Sequence, residues 1–503
     1  MNFSHTLKEN GALRKLLQAY AQGPIGFSCF LAWLYVSFYS CALLPVISTT
    51  RTSERFWGIM AGAGVIGALV ALFLLRRNVD IAGNPRIHYA AALCCGVGSL
   101  FIYLSCSQAP VQWCFTITGS IFSGVGFVFL AFMWRSVLGK YDESLIELSV
   151  PLSFFISVLL YFLLVAIKNM ATMVIIALLP LVSVLFALRG ISLLTGQASD
   201  DAAQTKEFRR KQNHLTGAAC FKNIFSREKL KAQGGHPFPT AIMFFVIWAN
   251  FAFFRAFWSP TYITNRFTHY IPPFTAAALL ALFVLVITIF RAKSVNYRNA
   301  YRWVLPITCL GYALLYVLNG RYIEIAYALN FTGLIVMQLY FWIVSAKRMR
   351  RGGGEASQIL FGIFLLFFLA GTTFGISVGL WTLEHVDTET LYKVLPFIMT
   401  GLTAIVMLLG VKSEHYTPDQ KQTLSFGEVV HAQASAIAEQ FNLTSREQEI
   451  LIYLLAGRSR PFIRDELVIS LSTVNSHVKN IYMKTAVHSY QELLDLAQQE
   501  IKV

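Results

Sequence analysis

The sequence predicts an all-α protein: a polytopic membrane helix bundle of about twelve spans, six plus six, followed by a C-terminal four-helix domain of the helix-turn-helix kind. Three observations predict it. Hydrophobic residues make up 56% of the 503 and charged ones 13%, against about 25% charged in ordinary soluble domains. Apolar runs long enough to cross about 30 Å of hydrocarbon recur along most of the chain. From residue 440 onward that composition gives way to short amphipathic segments marked by helix-capping residues.

The apolar runs lie near residues 25–48, 56–75, 87–106, 111–134, 148–167, 171–188, 239–258, 273–290, 301–318, 322–345, 356–381 and 391–411. Residues 1–24, with Lys8, Arg14 and Lys15, are polar and show no cleavage pattern, so the first span is expected to stay. Lysine and arginine collect on alternate loops: 25 of them fall on one side, including the nine between Arg189 and Lys231. The other side has six: Arg51, Arg55, Lys168, Arg266, Arg321 and Lys393. Positive loops stay cytoplasmic. The expected protein is therefore a multi-pass inner (plasma) membrane protein, in contact with membrane lipid, whose N-terminus and C-terminal domain are both cytoplasmic. The cysteines, Cys29, Cys41, Cys94, Cys95, Cys106, Cys114, Cys220 and Cys309, fall almost entirely inside apolar runs without metal-ligand spacing. They read as small membrane-helix residues, and no cofactor or metal is expected.

A polar segment at 189–238 separates a first membrane half, 25–188, from a second, 239–411. Six plus six helices around a long middle loop is similar to the major facilitator architecture, in which two halves rock about a central site. The loop signature of that superfamily is not evident in Arg76–Arg86 (RRNVDIAGNPR), where Asp80 and Gly83 are a faint match. Gly58 with Gly62, and Gly371 with Gly375 and Gly379, stand at helical spacing, suited to close helix packing or to hinges. Charges inside the apolar runs are few, and each is informative. Arg255 in FFRAFWSP, Trp258 and Glu324 are candidate ligand-binding residues near the outer ends of their helices, with Trp381, Glu384 and His385 on the same side. There Arg255 would pair with an anionic small molecule or with Glu324; the other reading is that it reaches to the interface.

Residues 412–439 form a polar linker with a helical pattern at Phe426, Val429, Val430 and Ile437. As coil, its 28 residues span roughly 30 Å, and they leave no room for a phosphoacceptor domain. The last domain, 440–503, opens with Thr444 and Glu447, a capping box for a helix that buries Ile450, Leu451, Leu454 and Leu455 and stops at Gly457. Ser459 and Pro461 start a second helix, ending near Leu467. Ser470 caps a third, with Val474, Val478, Ile481 and Tyr482 inward. Its other face is Ser472, Thr473, Asn475, Ser476, Lys479, Asn480 and Lys484: compact hydrogen-bonding groups and cations with no carboxylate. Base edges in a major groove need such groups, and phosphates repel Asp and Glu. These seven are the candidate DNA-binding residues.

The stretch resembles the LuxR-type (GerE-like) DNA-binding domain in Leu443, Thr444, Arg446, Glu447, Glu449, Leu455, Ala456, Gly457, Ser459, Ile463, Leu467, Ile469, Ser470, Thr473, Val474, His477, Ile481, Lys484 and Val487. Arg460, Pro461, Phe462 and Arg464 depart from the family pattern, and Asn475 stands where the family has a lysine. The resemblance implies promoter DNA as partner and a C-terminal helix, with Leu493, Leu494, Leu496, Ala497 and Ile501, that makes a homodimer on DNA; alternatively that helix closes the four-helix domain. From residue 439 onward there are seven cations against eight anions. The net charge of +15 thus belongs to membrane topology rather than to a nucleic-acid patch.

No nucleophile elbow, phosphate-binding glycine loop, HExxH or paired-cysteine motif is present, so no enzyme is expected. The resemblances together imply a membrane-embedded transcriptional regulator whose transporter-like domain senses a small molecule and controls sequence-specific DNA binding. The alternative is a secondary transporter with a C-terminal regulatory helix-turn-helix domain.

Overall fold

A computed structural model of the chain describes residues 17–39, 50–105, 112–167, 170–197, 237–258, 266–290, 304–318, 323–350, 354–415, 426–457, 459–467 and 469–499. The chain divides into two compact units, Met1–Tyr416 and Thr417–Val503.

The first unit is built from α1 (Ile25–Leu34, continued as a π-helical turn, Tyr35–Tyr39), α2 (Thr50–Arg76), α3 (Pro85–Leu104), α4 (Gln112–Leu138), α5 (Glu143–Ile167) and α6 (Met170–Gln197). The second set is α7 (Pro237–Trp258), α8 (Arg266–Phe290), α9 (Val304–Val317), α10 (Ile323–Arg350), α11 (Gly354–His385) and α12 (Thr388–His415). Each apolar run of the sequence falls, over its described residues, on one of them. Eight of these helices have both the length and the composition to cross a membrane, and three shorter ones, Ile25–Ser37, Thr240–Ala256 and Pro306–Val317, are equally apolar. Local chemistry sets the ends: Asn84 caps α3 by accepting the Arg86 amide at 3.0 Å, with Pro85 in the first turn. Inside the bundle, hydroxyls satisfy themselves on the carbonyl one turn back, as Ser99 does on Cys95 at 2.9 Å. Others bridge helices: the Trp33 indole donates to Ser99 at 2.9 Å, that of Trp134 to Ser183 at 2.8 Å, and the Asn250 amide to Thr403 at 2.9 Å.

The packing repeats with a shift of six helices. α1–α6 is matched by α7–α12, α3–α4 by α9–α10, α3–α6 by α9–α12, α1–α5 by α7–α11 and α2–α4 by α8–α10. The two halves meet chiefly through α2 on α11 and α5 on α8, pairs that the same shift exchanges. The bundle is thus two copies of one six-helix arrangement about a shared axis. Aromatic rings fill much of the seam. Phe27 packs on Trp342 (centroids 4.8 Å apart), Tyr161 stacks on Phe274 (4.0 Å) and Phe132 meets Phe361 edge-on (5.1 Å).

The second unit holds α13 (Phe426–Gln440), α14 (Ser445–Leu455), α15 (Arg460–Leu467), α16 (Leu471–Thr485) and α17 (Tyr490–Gln499). Its core is separate from the membrane core. Val430, Ala434 and Ile437 of α13 join Ile450, Leu451, Leu454, Leu455, Ile463, Val474, Val478, Ile481, Leu493 and Ala497. The helical pattern read in the linker is therefore a packed element of this domain. Gln433 donates to the Ala497 carbonyl at 2.8 Å and Gln448 to Ser435 at 3.0 Å, tying α13 to α17 and α14.

Candidate functional site

In the C-terminal unit α14 starts as its sequence dictates. The Thr444 hydroxyl accepts the Glu447 amide at 3.3 Å and the Glu447 carboxylate accepts the Thr444 amide at 2.8 Å, completing the capping box. Gly457 closes α14 at φ 73°, the left-handed conformation that glycine adopts without strain. Ser459 then accepts the Phe462 amide at 3.4 Å, and Pro461 lies in the first turn of α15. Ser470 caps α16 by accepting the Thr473 amide at 3.1 Å. α15 and α16 pack on each other, with Val474, Val478 and Ile481 on the buried face of α16.

That leaves Ser472, Thr473, Asn475, Ser476 and Lys479 exposed on the outer face of α16, with Asn480 half-buried at its edge. Five of the seven candidates have hydrogen-bond partners within the domain: the Ser472 and Thr473 hydroxyls each lie 2.7 Å from that of Ser470, Ser476 donates to the Ser472 carbonyl at 3.0 Å, and Lys484 and Asn475 reach beyond their own helix. Lys484 donates to Glu447 at 2.7 Å and to the Asn442 carbonyl at 3.2 Å, so its ammonium clasps the end of α16 to the start of α14. Burial disfavours the Glu447 carboxylate, but the hydrogen bonds from Lys484 and Thr444 outweigh it and hold the carboxyl below the usual range. Asn475 accepts a hydrogen bond at 3.0 Å from Arg460, the first residue of α15. Tyr482, expected inward, is half-buried and lines an open groove of about 610 Å³ with Arg460, Asn475, Lys479, Met483 and His488.

Residues 441–497 match the family model of bacterial regulatory proteins, luxR family. The C-terminal unit carries a LuxR-type helix-turn-helix domain. Over 55 residues, 11% of this chain, the sequence is 47% identical to the Fimbriae Z protein of Escherichia coli (strain K12). Over 75 residues, 15% of the chain, it is 32% identical to the HTH-type transcriptional regulator MalT of Serratia proteamaculans (strain 568). The matched stretch spans 26% of the Fimbriae Z protein and 8% of MalT. Such a domain implies DNA binding.

The membrane unit resembles solved transporters in fold. A bacterial homologue of the iron transporter ferroportin, in its outward-facing state, superposes with a TM-score of 0.52 at 11% identity, covering 80% of this chain and 99% of that one. The same homologue soaked with iron gives 0.50 at 12% identity, covering 79% and 98%. The likeness concerns the fold alone.

Within the membrane unit, ion pairs bridge the halves at both ends of the seam. At the end where α2 starts and α7 stops, Arg255 and Glu54 are both fully buried, with Nε 3.3 Å from Oε2. The Arg255 guanidinium also lies over the Trp57 ring, 4.0 Å from its centroid. Arg55 meets Glu384 of α11 at 3.6 Å, and Trp381 stacks on His385 beside it. The carboxylate that the structure places beside Arg255 is thus Glu54, which sequence reasoning missed. Glu324 stands in the first turn of α10, half-buried. Trp258 ends α7, and its side chain lies outside the described residues. A signal for Glu54 did exist: it is the carboxylate just ahead of the apolar run of α2.

At the opposite end, Lys347 of α10 pairs with Glu143 at 3.5 Å and with Glu147, both on α5. Arg350 bonds Asp142 and donates to the Tyr141 carbonyl at 2.7 Å. Arg135, buried at the end of α4, donates to Ser357 of α11 and lies over the Phe361 ring at 5.2 Å.

Proposed function

We propose that the protein is a membrane-embedded transcriptional regulator in which the two-half membrane domain senses a small molecule and biases promoter binding by the helix-turn-helix. The observation that carries this reading is the pair of charge clusters bridging the halves at opposite ends of the seam, in the same chain as a DNA-binding module. A charge pair in low dielectric is held by its partner and released when another charge competes for it. An anionic ligand reaching Arg255 would compete with Glu54, and Trp258 and Glu324 remain the proposed further contacts of that ligand. Only a ligand that binds two arrangements of the halves unequally shifts their balance.

The lysine and arginine distribution supports a topology with both termini in the cytoplasm of an inner-membrane protein. The near-neutral charge of the module supports reliance on a homodimer, through α17, for adequate affinity. Ser472, Thr473, Asn475, Ser476, Lys479 and Asn480 would face the duplex. Lys484 joins them as a residue whose position is fixed by Glu447.

The test uses the full chain in lipid nanodiscs and promoter DNA from its own locus. Sequence-selective retardation at low salt supports the reading, and its absence sinks it. In cells, Arg255→Ala at unchanged protein level should alter output from that promoter; an unchanged output would remove the membrane switch. The major-facilitator-like fold favours the second reading, a secondary transporter with a regulatory helix-turn-helix. Saturable uptake of a candidate anion by vesicles containing the protein would select it.

A further inference from the structure

The outer face of α16 is poor in cations. Lys484 is committed to Glu447, which leaves Lys479 as the cation of that helix not engaged by a carboxylate among the described residues. A third positive charge nevertheless stands at this face. It is Arg460 of α15, whose Nη1 donates to Asn475 Oδ1 at 3.0 Å. Its backbone is well placed to hold that position: Ser459 and Pro461 fix the turn on either side, and the Phe462 ring packs on Tyr453 at 6.3 Å. Arg460, Asn475, Lys479 and His488 together line the open groove along α16, and among the described residues no carboxylate lines it.

The hydrogen bond changes what Asn475 can offer. A free asparagine presents one acceptor and two donors and suits adenine, which needs a donor for N7 and an acceptor for its N6 amine. Here the acceptor is engaged by a guanidinium, and an incoming amine would meet a positive charge. What the pair presents outward is mainly donors: the remaining guanidinium N–H groups and the Asn475 amide N–H groups. In the major groove only guanine shows two adjacent acceptors, N7 and O6.

We infer that Arg460 and Asn475 act as one unit that reads a guanine, with Arg460 a base-contacting residue from the helix before the recognition helix. The assignment rests on the DNA-binding reading above. It differs from a phosphate contact in a testable way, because a phosphate needs only charge, whereas holding Asn475 and a guanine edge at the same time uses the planar fork of arginine.

The experiment selects binding sites from a randomised duplex pool with the full chain in nanodiscs, then measures affinity for every single-base variant of the consensus. The proteins compared are wild type, Arg460→Ala, Arg460→Lys, Asn475→Ala and Lys479→Ala. Both side chains of the pair are exposed, and matched thermal melts verify folding. The wild type should prefer guanine at one position by roughly 5- to 150-fold. Arg460→Ala and Asn475→Ala should both lose that preference at the same position, and Arg460→Lys should not restore it. Lys479→Ala should weaken all sequences alike. The inference is overturned if Arg460→Ala weakens all sequences equally with the guanine preference intact, if lysine restores binding, or if the two substitutions act at different positions. A wild type that selects no consensus removes the DNA-reading proposal itself, and this inference falls with it.

Discussion

Glu54 of α2 and Arg255 of α7 lie 201 positions apart in sequence and meet at 3.3 Å in the buried seam between the two halves. Neither reaches solvent, so removing one partner leaves the other as an uncompensated buried charge, a change that costs about 3–5 kcal/mol. Glu54→Gln or Arg255→Gln alone should lower the melting temperature of the purified protein more than the double substitution does. Additive losses in the double variant would show that the two residues are not coupled.

At the other end, Lys347 is held by Glu143 and Glu147. Lys347→Glu places three carboxylates together and should drive the halves apart there. Engineered cysteines at that end should label faster with a membrane-impermeant thiol reagent applied from the side they face. Combining Lys347→Glu with Glu147→Lys should return labelling toward the wild-type rate; a labelling rate insensitive to all these changes would mean that the cluster does not hold the seam.

The acid side of the stability profile of the C-terminal unit follows from Glu447. Its carboxyl titrates below the usual range in the folded state, because the Lys484 and Thr444 hydrogen bonds outweigh its burial. The unfolded chain then binds more protons than the folded one as pH falls below about 4.3. The stabilisation is complete above that value and is lost as pH drops through the depressed one. Asp465, held down by Arg464, and Glu492, held down by the His488 amide, act in the same direction but are exposed. Denaturant melts from pH 7 to pH 3 should show this slope, reduced in Glu447→Gln. Lys484→Ala should lower stability with little further loss in the Glu447→Gln background. Full additivity would contradict the clasp.

Gly375 offers a contrast with Gly62. A Cβ on Gly375 would strike the Ala249 carbonyl oxygen, which is backbone and cannot move aside, whereas one on Gly62 would meet Thr373 Cγ2 at an ordinary 3.7 Å. Gly375→Ala should sharply reduce the folded yield and Gly62→Ala should leave it near wild type, as read by size-exclusion profile in detergent. A normal yield for Gly375→Ala would mean that the two helices separate at little cost.

The features legible in the sequence are those written locally. Apolar length gave the membrane helices, and the Thr444–Glu447 box, Gly457 and Ser470 gave the bounds of the helix-turn-helix to within a residue or two, because each acts on its own helix end. The Glu54–Arg255 pair was not legible. Its partners belong to different halves, and Glu54 looks like part of a polar loop until α7 is packed against α2. For Lys484 the residue type and helix face could be read, but not that Glu447, 37 positions earlier, claims its charge. The pattern in the linker was visible too; that it packs on α14 and α17 is a tertiary fact.

The two sides of α11 are unlike. Toward α7, Gly371 and Gly375 let its backbone rest on the carbonyls of Phe245 and Ala249, with no side chain between. Toward α2, it presents Thr373 and Ile376 to Gly62 and Gly58 through side-chain contacts alone. A surface of rotatable side chains over glycine slides at small cost, and a backbone-on-backbone contact does not. α7 and α11 therefore form one tightly joined pair, with Arg255 near one end, and α2 meets that pair through side chains laid over glycine.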